Sequence, residues 1–565
     1  MGTISDKLLY LQGTKSAIKD AIVAKGVDVP TGTTFRDYAT KIGEISGGGG
    51  TPTPVADEWV RPSEWLPLPD NIDGVQKVSI LNAVFDTDSE FVAFVCQGAY
   101  TVDWGDGVVE DYASGVRAEH KYDYSNVNLN SATVSKFGYK QCIITITPQA
   151  GNNLTIINFV YYHTSIGSAN AYDLTTGFLD VRINSLSCTN LVFCGSTNYV
   201  RHTILEQCLI GELADTSLDN LFYDCYSLQS VSIKDTSNVT SFTNMHSNNY
   251  SLQKMPTYTF RSAGVNVNNM FYNCYSLRET YPLVITPAAS SSVASMFIFC
   301  KSLTYIDLTI NSNINYSMNS LFSGCLSLET INLSLTGAGK VSNLGSTFQN
   351  TRIKSSPVID TSLCTNFIKT FQYCDRLTDL YEYDYTSATS LGNMLDGCYS
   401  LKSVPNFNIT TNCTDLGSLC NNCRSLEKAP TFSDSSGVTN VNSMLANCKK
   451  LTTIPNYIFG NIAGTNADQF VNACDSLQIM PNITVGTLYT ANVNFLGGCF
   501  SLKRMLMPFR FTFSVANAKM SANALNEMFS ILPTVTGQTV AITGNYGAST
   551  CDTTIATAKG WTVTK

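Results

Sequence analysis

The sequence predicts a mainly β protein with short helices: a long solenoid of stacked coils, preceded by a small helical hairpin and a β-sandwich domain. Three observations predict it. Ten of the nineteen cysteines (Cys225, Cys274, Cys300, Cys325, Cys374, Cys398, Cys423, Cys448, Cys474 and Cys499) fall on one metre of 23 to 26 residues, with Asn249 and Thr351 on the two missing beats. Three residues after the cysteine stands an unbroken apolar column that includes Leu228, Leu252, Leu277, Leu303 and Leu328, with Ile353 in the one copy that is a residue short. Three and four residues before it sits an apolar pair such as Met270-Phe271, Met296-Phe297 or Leu321-Phe322. A unit of this length cannot bury its own apolar face and has to stack on its neighbours.

Residues 1–46 read as a helical attachment domain. Leu8, Leu11, Ile18 and Ile22 repeat at helical spacing, Gly26 ends the first helix, and Thr34 with Asp37 resembles a capping box for a second. An intramolecular hairpin and a short oligomer core both accommodate this stripe. Residues 47–56, Gly- and Pro-rich, are a linker. Residues 57–150 look all-β, with strand candidates Val78–Val84, Glu90–Gln97, Tyr100–Trp104 and Cys142–Thr147. Residues 151–214 hold eroded earlier copies of the repeat, because Leu179, Val181 and Ile183 keep its strand pattern. Residues 215–505 are the regular solenoid. Each coil there should be a strand of three to five residues, a polar return and a helical or turn segment. Pro256, Pro357, Pro405, Pro430, Pro455 and Pro481 limit the strand, since proline belongs at a strand end. Twelve coils at strand spacing span roughly 55 Å. Residues 506–565 form a cap, which a solenoid needs to close its apolar end.

The cysteines read as a ladder of small buried thiols rather than a disulfide or metal scaffold. Asn and Thr substitute for two of them, their number is odd, and Cys420-x-x-Cys423 lacks a second ligand pair. A chain this rich in unpaired thiols suits folding in a reducing cytosol.

Cys225-Tyr226-Ser227-Leu228 followed by Asp235-Thr236-Ser237-Asn238-Val239-Thr240, and Met270-Phe271-Tyr272-Asn273-Cys274-Tyr275-Ser276-Leu277, resemble the BspA-like bacterial surface leucine-rich repeat. That resemblance implies a leucine-rich-repeat solenoid. Asp103-Trp104-Gly105-Asp106-Gly107 with His120-Lys121-Tyr122 resembles the PKD-like β-sandwich, which implies a spacer or adhesion module without chemistry. Asp103, Asp106, Glu110 and Asp111 there read as turn residues more readily than as a calcium site. Lys7 to Leu11, Trp59-Val60-Arg61-Pro62 to Trp65-Leu66, and Ala556 to Val563 resemble bacteriophage tail-fibre proteins. This implies an attachment end on other tail or baseplate proteins through residues 1–46 and a distal end that reads a receptor.

The net charge of −8 argues against nucleic acid as a partner. The start lacks the basic-then-apolar pattern of a secretion signal, and no run approaches the roughly 20 apolar residues of a membrane span. A surface-type repeat without a usual export route suits a virion protein assembled in the host cytoplasm. No phosphate loop, nucleophile elbow or metal helix is present in the sequence, so no enzyme, cofactor or metal is expected. Glu329, Asp375, Asp379, Glu382 and Asp384 lie in neighbouring copies as solvated charges rather than a sugar-cleaving pair. The function expected is host attachment by a tail fibre or spike, through many weak contacts with a surface glycan or protein. A decoration protein and a bacterial surface adhesin are the alternatives. Tyr226, Tyr250, Tyr275 and Tyr399 are the candidate receptor contacts, beside the reading that they pack in grooves. A homo-oligomer, a trimer among the candidates, is compatible with the sequence.

Overall fold

The computed structural model describes residues 59–69, 74–86, 91–165, 175–194, 201–463, 466–485, 488–489 and 495–565. The helical hairpin and the Gly/Pro linker expected before residue 57 lie outside the described residues.

Eleven strands open the described chain: β1 (Lys77–Val84), β2 (Phe91–Gln97), β3 (Tyr100–Asp103), β4 (Val109–Tyr112), β5 (Arg117–Lys121), β6 (Lys140–Pro148), β7 (Ile156–Asn158), β8 (Phe178–Ser185), β9 (Asn190–Val192), β10 (Gln207–Leu213) and β11 (Ser230–Ile233). They make a seven-stranded sheet in the order β11-β10-β8-β1-β6-β3-β4 and a four-stranded sheet in the order β5-β2-β7-β9. Phe94, Tyr100, Trp104 and Phe159 are fully buried in the core these sheets share. β1 runs antiparallel to both β6 and β8, whereas β8, β10 and β11 run parallel to one another. The pairing mode therefore changes at β8, and the large sheet passes into the solenoid without a break. One apolar core runs from Val78 to Trp561.

The lead-in from Trp59 to Pro69 packs on side chains of this sheet that the main core does not use. Trp65 and Leu68 pack with Leu81, Ala83, Tyr139 and Leu179. Arg61 Nε donates to Asp180 Oδ2 at 2.7 Å, and Arg182 Nη2 reaches the same oxygen at 3.3 Å. Asp180 is completely buried, so these two guanidinium groups are what make its charge tolerable there.

Within the solenoid the structure is mainly β with few helices, an array of leucine-rich-repeat-like coils. Regular strands are sparse: β12 (Leu283–Ile285), β13 (Tyr305–Asn311), β14 (Tyr316–Ser317) and β15 (Thr330–Thr336) are the clearest. Many coils pair through single bridges such as Lys254↔Glu279 and Ser355↔Asp379. β13 and β15, at seven residues each, exceed the three to five expected, and neither contains a proline.

The other half of each coil is turn, and it too is laddered. Val267, Asn269, Phe271 and Asn273 each donate a backbone N–H to the next coil, at Ser292, Ala294, Met296 and Ile298. Two residues of this segment, four apart, adopt left-handed backbone in each coil, as at Asn269 (φ 54°) and Asn273 (φ 61°), or Ser418 (φ 54°) and Asn422 (φ 59°). That requirement accounts for the Asn, Ser and Gly found one and five residues before the cysteine. In the C-terminal segment the helix Ala522–Ile531 joins the parallel strands Phe513–Ser514, Gln538–Ala541 and Trp561–Thr564. This segment thus continues the parallel pairing of the coils, with a true helix replacing a turn.

Candidate functional site

The ten ladder cysteines are buried and unpaired, as are the other nine. Their thiols do more than fill space. Cys274 Sγ donates to His246 O at 3.1 Å, Cys300 Sγ to Phe271 O at 3.2 Å and Cys325 Sγ to Phe297 O at 3.1 Å. The same bond recurs from Cys374, Cys398, Cys423, Cys448, Cys474 and Cys499. Each reaches back one coil to a carbonyl, and most of these carbonyls also accept the N–H at their own coil's ladder position, as Phe271 O does from Cys274 N. A thiol is small, apolar and a weak donor, which is the combination this position uses. Burial pushes the Cys374 and Cys499 thiols up to about 12, so they stay protonated and unreactive.

Beside the thiols runs a ladder of rings: Phe222, His246, Phe271, Phe297, Phe322, Phe348 and Phe371, with successive centroids 5.3 to 6.1 Å apart. Cys420 occupies this ring column in its coil, which explains the Cys-x-x-Cys spacing without a metal. His246, which takes the place of phenylalanine in this column, is completely buried. Its Nδ1 lies 2.7 Å from Asn249 Oδ1 and its Nε2 2.6 Å from the Tyr258 hydroxyl. Asn249 Nδ2 donates to Phe222 O at 2.7 Å and Cys225 O at 3.1 Å, which turns its carbonyl oxygen toward the ring. Nδ1 therefore carries the proton and Nε2 accepts from Tyr258. Burial lowers the His246 pKa to about 4, which keeps the ring neutral.

The outer surface carries the candidate contacts. Tyr226, Tyr250 and Tyr275 follow the ladder position in three successive coils and stack, with centroids 4.9 Å apart at both steps. Arg201 Nη1 donates to the Tyr226 hydroxyl at 3.2 Å, at the open end of the stack. Lys301, in the same column one coil on, holds its ammonium 3.8 Å from the Tyr275 centroid. The rings are half-buried, and the stack covers the faces that neighbouring rings turn to each other. The structure does not bring Tyr399 to this cluster. It stands five coils beyond Tyr275, 39 % exposed, with the Arg424 guanidinium 4.9 Å from its ring centroid.

Sequence reasoning missed Arg201, Lys301 and Arg424, whose partners are in other coils. It also missed Phe299 and Tyr373, exposed aromatics at left-handed φ of 57° and 60°. Each lies over a glycine of the next coil: a Cβ on Gly324 would meet Phe299 Cδ1 at 2.2 Å, and one on Gly397 would meet Tyr373 Cδ1 at 2.3 Å. The available signal was an aromatic where other copies have Asn, Asp, Gly or Ala, followed one coil later by Gly. Bulky side chains at this backbone conformation are strained, and such strain clusters where a surface is used.

Seven of the nine carboxylates weighed for chemistry have hydrogen-bond or ion-pair partners. Asp103 accepts from Gly105 N and Asp106 from Val108 N within the turn, while Glu110 accepts from Trp104 Nε1. Asp111 accepts from Thr101 Oγ1. Glu329 pairs with Arg376 at 2.7 Å, Asp379 accepts from Thr378, and Asp384 accepts from Thr386. Among the described residues no group of three or more His, Cys, Asp or Glu is arranged to hold a metal.

Residues 214–309, 316–433 and 365–478 match a family described as "Mycoplasma protein of unknown function, DUF285". No curated protein matches the chain. Among solved structures, a leucine rich cell surface protein from Faecalibacterium prausnitzii A2-165 is similar at 17 % identity, over 58 % of this chain and 83 % of that one, with a TM-score of 0.32. The repeat metre and the family match support a BspA-like surface repeat over the matched coils.

Proposed function

We propose that this chain is a surface-displayed binding protein of the adhesin kind, whose coils hold an aromatic and cationic face against a glycan- or protein-bearing surface. The observation that carries this reading is the outer column itself: Tyr226, Tyr250 and Tyr275 stacked in register, with Arg201 at one end and Lys301 at the other. Stacking covers the inner ring faces, and Lys301 covers the outer face of Tyr275. Contact then runs through hydroxyls, ring edges and the flanking cations, which suits polar or anionic groups. Each contact is weak, and a rigid array displayed in many copies adds them without a deep cleft. The reading assigns no reaction to the protein.

The test is binding of the full chain to bacterial cells and to their isolated surface polysaccharide. Replacing Tyr226, Tyr250 and Tyr275 together by Ser should lower binding while leaving the melting transition close to that of the parent. Unchanged binding by a folded triple variant would remove this face from the function.

A second reading, display on a bacteriophage particle as a tail fibre or spike, draws on a separate observation. Nine thiol bonds, in two runs either side of the Thr351 coil, require reduced cysteines, and a cytosol where such particles assemble supplies that state. The resemblance of the Trp59 to Leu66 lead-in to tail-fibre proteins agrees with it. Immunogold labelling separates the two: label on the cell envelope supports the adhesin, and label on particles supports the fibre.

A further inference from the structure

We infer that the outward edge of β15 is a docking site for an extended polypeptide, which enters as a fourth strand beside β12, β13 and β15. The inference is independent of the tyrosine face.

β15 is the last strand of its sheet. It pairs in parallel with β13 from Tyr305↔Thr330 to Asn311↔Thr336. Thr330 N donates to Thr304 O, and Thr336 O accepts from Ser312 N. Alternation along the strand then turns Thr330, Asn332, Ser334 and Thr336 toward β13, and turns the N–H and C=O of Ile331, Leu333 and Leu335 to the opposite edge. From that edge to the following coil the one backbone bond among the described residues is Arg352 N to Leu328 O, before the strand begins. Pro357, which has no N–H, lies along the following coil.

The edge is open because the next coil is narrower. The path from Leu328 to Asn343 is two residues longer than the equivalent path from Ile353 to Asn366. The effect on burial is direct. Ile306, Leu308 and Ile310 of β13 are fully buried, whereas their counterparts Ile331, Leu333 and Leu335 are only half-buried. Val358, on the narrow coil, is 67 % exposed. The result is a ledge with three unpaired backbone donors, three acceptors and an apolar lining. The exposed side chains of the strand, Thr330, Asn332, Ser334 and Thr336, are uncharged.

Exposed edges of folded proteins are commonly blunted by lysine, proline or a bulge, and β15 has none of these. Only another extended backbone offers N–H and C=O groups at this spacing, and the apolar lining selects an uncharged strand with alternate apolar residues. A second folded copy does not suit the ledge. The edge points along the stack, so a partner presenting its own β15 would drive its coils into the space that the coils after Thr351 occupy. A strand without a body behind it avoids that clash.

Hydrogen exchange on the full chain tests the edge first. The amides of Ile331, Leu333 and Leu335 should exchange much faster than those of Asn332, Ser334 and Thr336. Equal protection of both sets would show the edge closed and overturn the proposal. The binding probe is a blocked synthetic peptide of sequence Thr-Ile-Asn-Leu-Ser-Leu-Thr, with a second peptide N-methylated at alternate amides as its control. The first should bind and slow the three outward amides; the control should not. Leu333→Pro removes an outward donor without touching a bond to β13, and Val358→Lys places a charge on an exposed part of the ledge. Either should weaken peptide binding about tenfold, the scale of one good hydrogen bond. Should the proline variant not fold, the lysine variant still decides. Equal binding by a folded variant overturns the site, as does self-association of the parent that Leu333→Pro abolishes, which would assign the edge to a second copy.

Discussion

Two coils lack the ladder cysteine, and they deal with the loss differently. In the first, Asn249 donates to Phe222 O, the carbonyl that a thiol would have reached, and its other amide atom engages His246 in the ring column. Polar residues entered both columns of that coil together and satisfy each other. In the second, Thr351 Oγ1 turns back to Phe348 O of its own coil, and Phe322 O keeps only the N–H of Cys325. That coil is also the narrow one that leaves β15 uncovered. The inter-coil donor is thus replaced in kind at the first interruption and lost at the second.

Acid should strain the first kind of interruption most. His246 and His202 are both completely buried, and burial lowers both pKa values from 6.5 to about 4. The unfolded chain then binds more protons than the folded one between those limits, so stability is full above about pH 6.5 and falls as pH drops toward 4. The loss should reach on the order of 3 kcal/mol per histidine near pH 4. Urea midpoints at pH 7 and pH 4.5 measure it. A His246→Phe/Asn249→Cys/Tyr258→Phe variant, which restores the common columns, should lose part of this dependence. An unchanged midpoint difference would mean that His246 is not the titrating group.

Next in size is the amide. Asn249→Ala leaves Phe222 O, Cys225 O and the His246 Nδ1 proton without that partner in a dry core, and should cost about 2–3 kcal/mol in chemical denaturation. The triple variant above should recover most of that loss. If the single and triple variants are equally destabilised, the two columns are not coupled as described.

The regular coils give the smaller comparison. Cys325→Ala removes the thiol donor and leaves a small void, for about 1–2 kcal/mol. Cys325→Ser keeps a donor while adding polarity. A smaller loss for Ser than for Ala would show that donation matters at this column; the reverse order would reduce the thiol to a space-filler.

Much of this was legible in the sequence, because a repeated column averages out local ambiguity. Leucine, the apolar pair and cysteine return at near-fixed offsets, and they are the buried rows of the structure. The donor role of the thiols was not legible, since their acceptor is a backbone carbonyl one coil back. The left-handed positions left a trace in Asn269, Asn273, Ser418 and Asn422, but a polar column alone does not distinguish strained backbone from ordinary loop. The tyrosines could be picked out singly; their stacking, and the cations beside them, depend on side-chain placement between coils. The open edge at β15 was hidden for another reason. It rests on a difference in width between two coils, and the bridge Asn343↔Asn366 is needed to measure it.

The smallest effect is the most discriminating. Thr351 is 1 % exposed, and its hydroxyl lies 3.3 Å from Cys374 Sγ, so the ladder position is occupied and nearly the right size. Thr351→Cys replaces a β-branched hydroxyl with the residue found in ten other coils, and its thiol can reach back to Phe322 O. The gain should be about 0.5–1 kcal/mol, the worth of one weak buried bond. The coil would remain two residues narrower, so β15 should stay open and its outward amides should still exchange rapidly. A gain in stability with an open edge separates the missing donor from the missing width. If the substitution also protects Ile331, Leu333 and Leu335, the two are one defect, and the threonine itself holds the ledge apart.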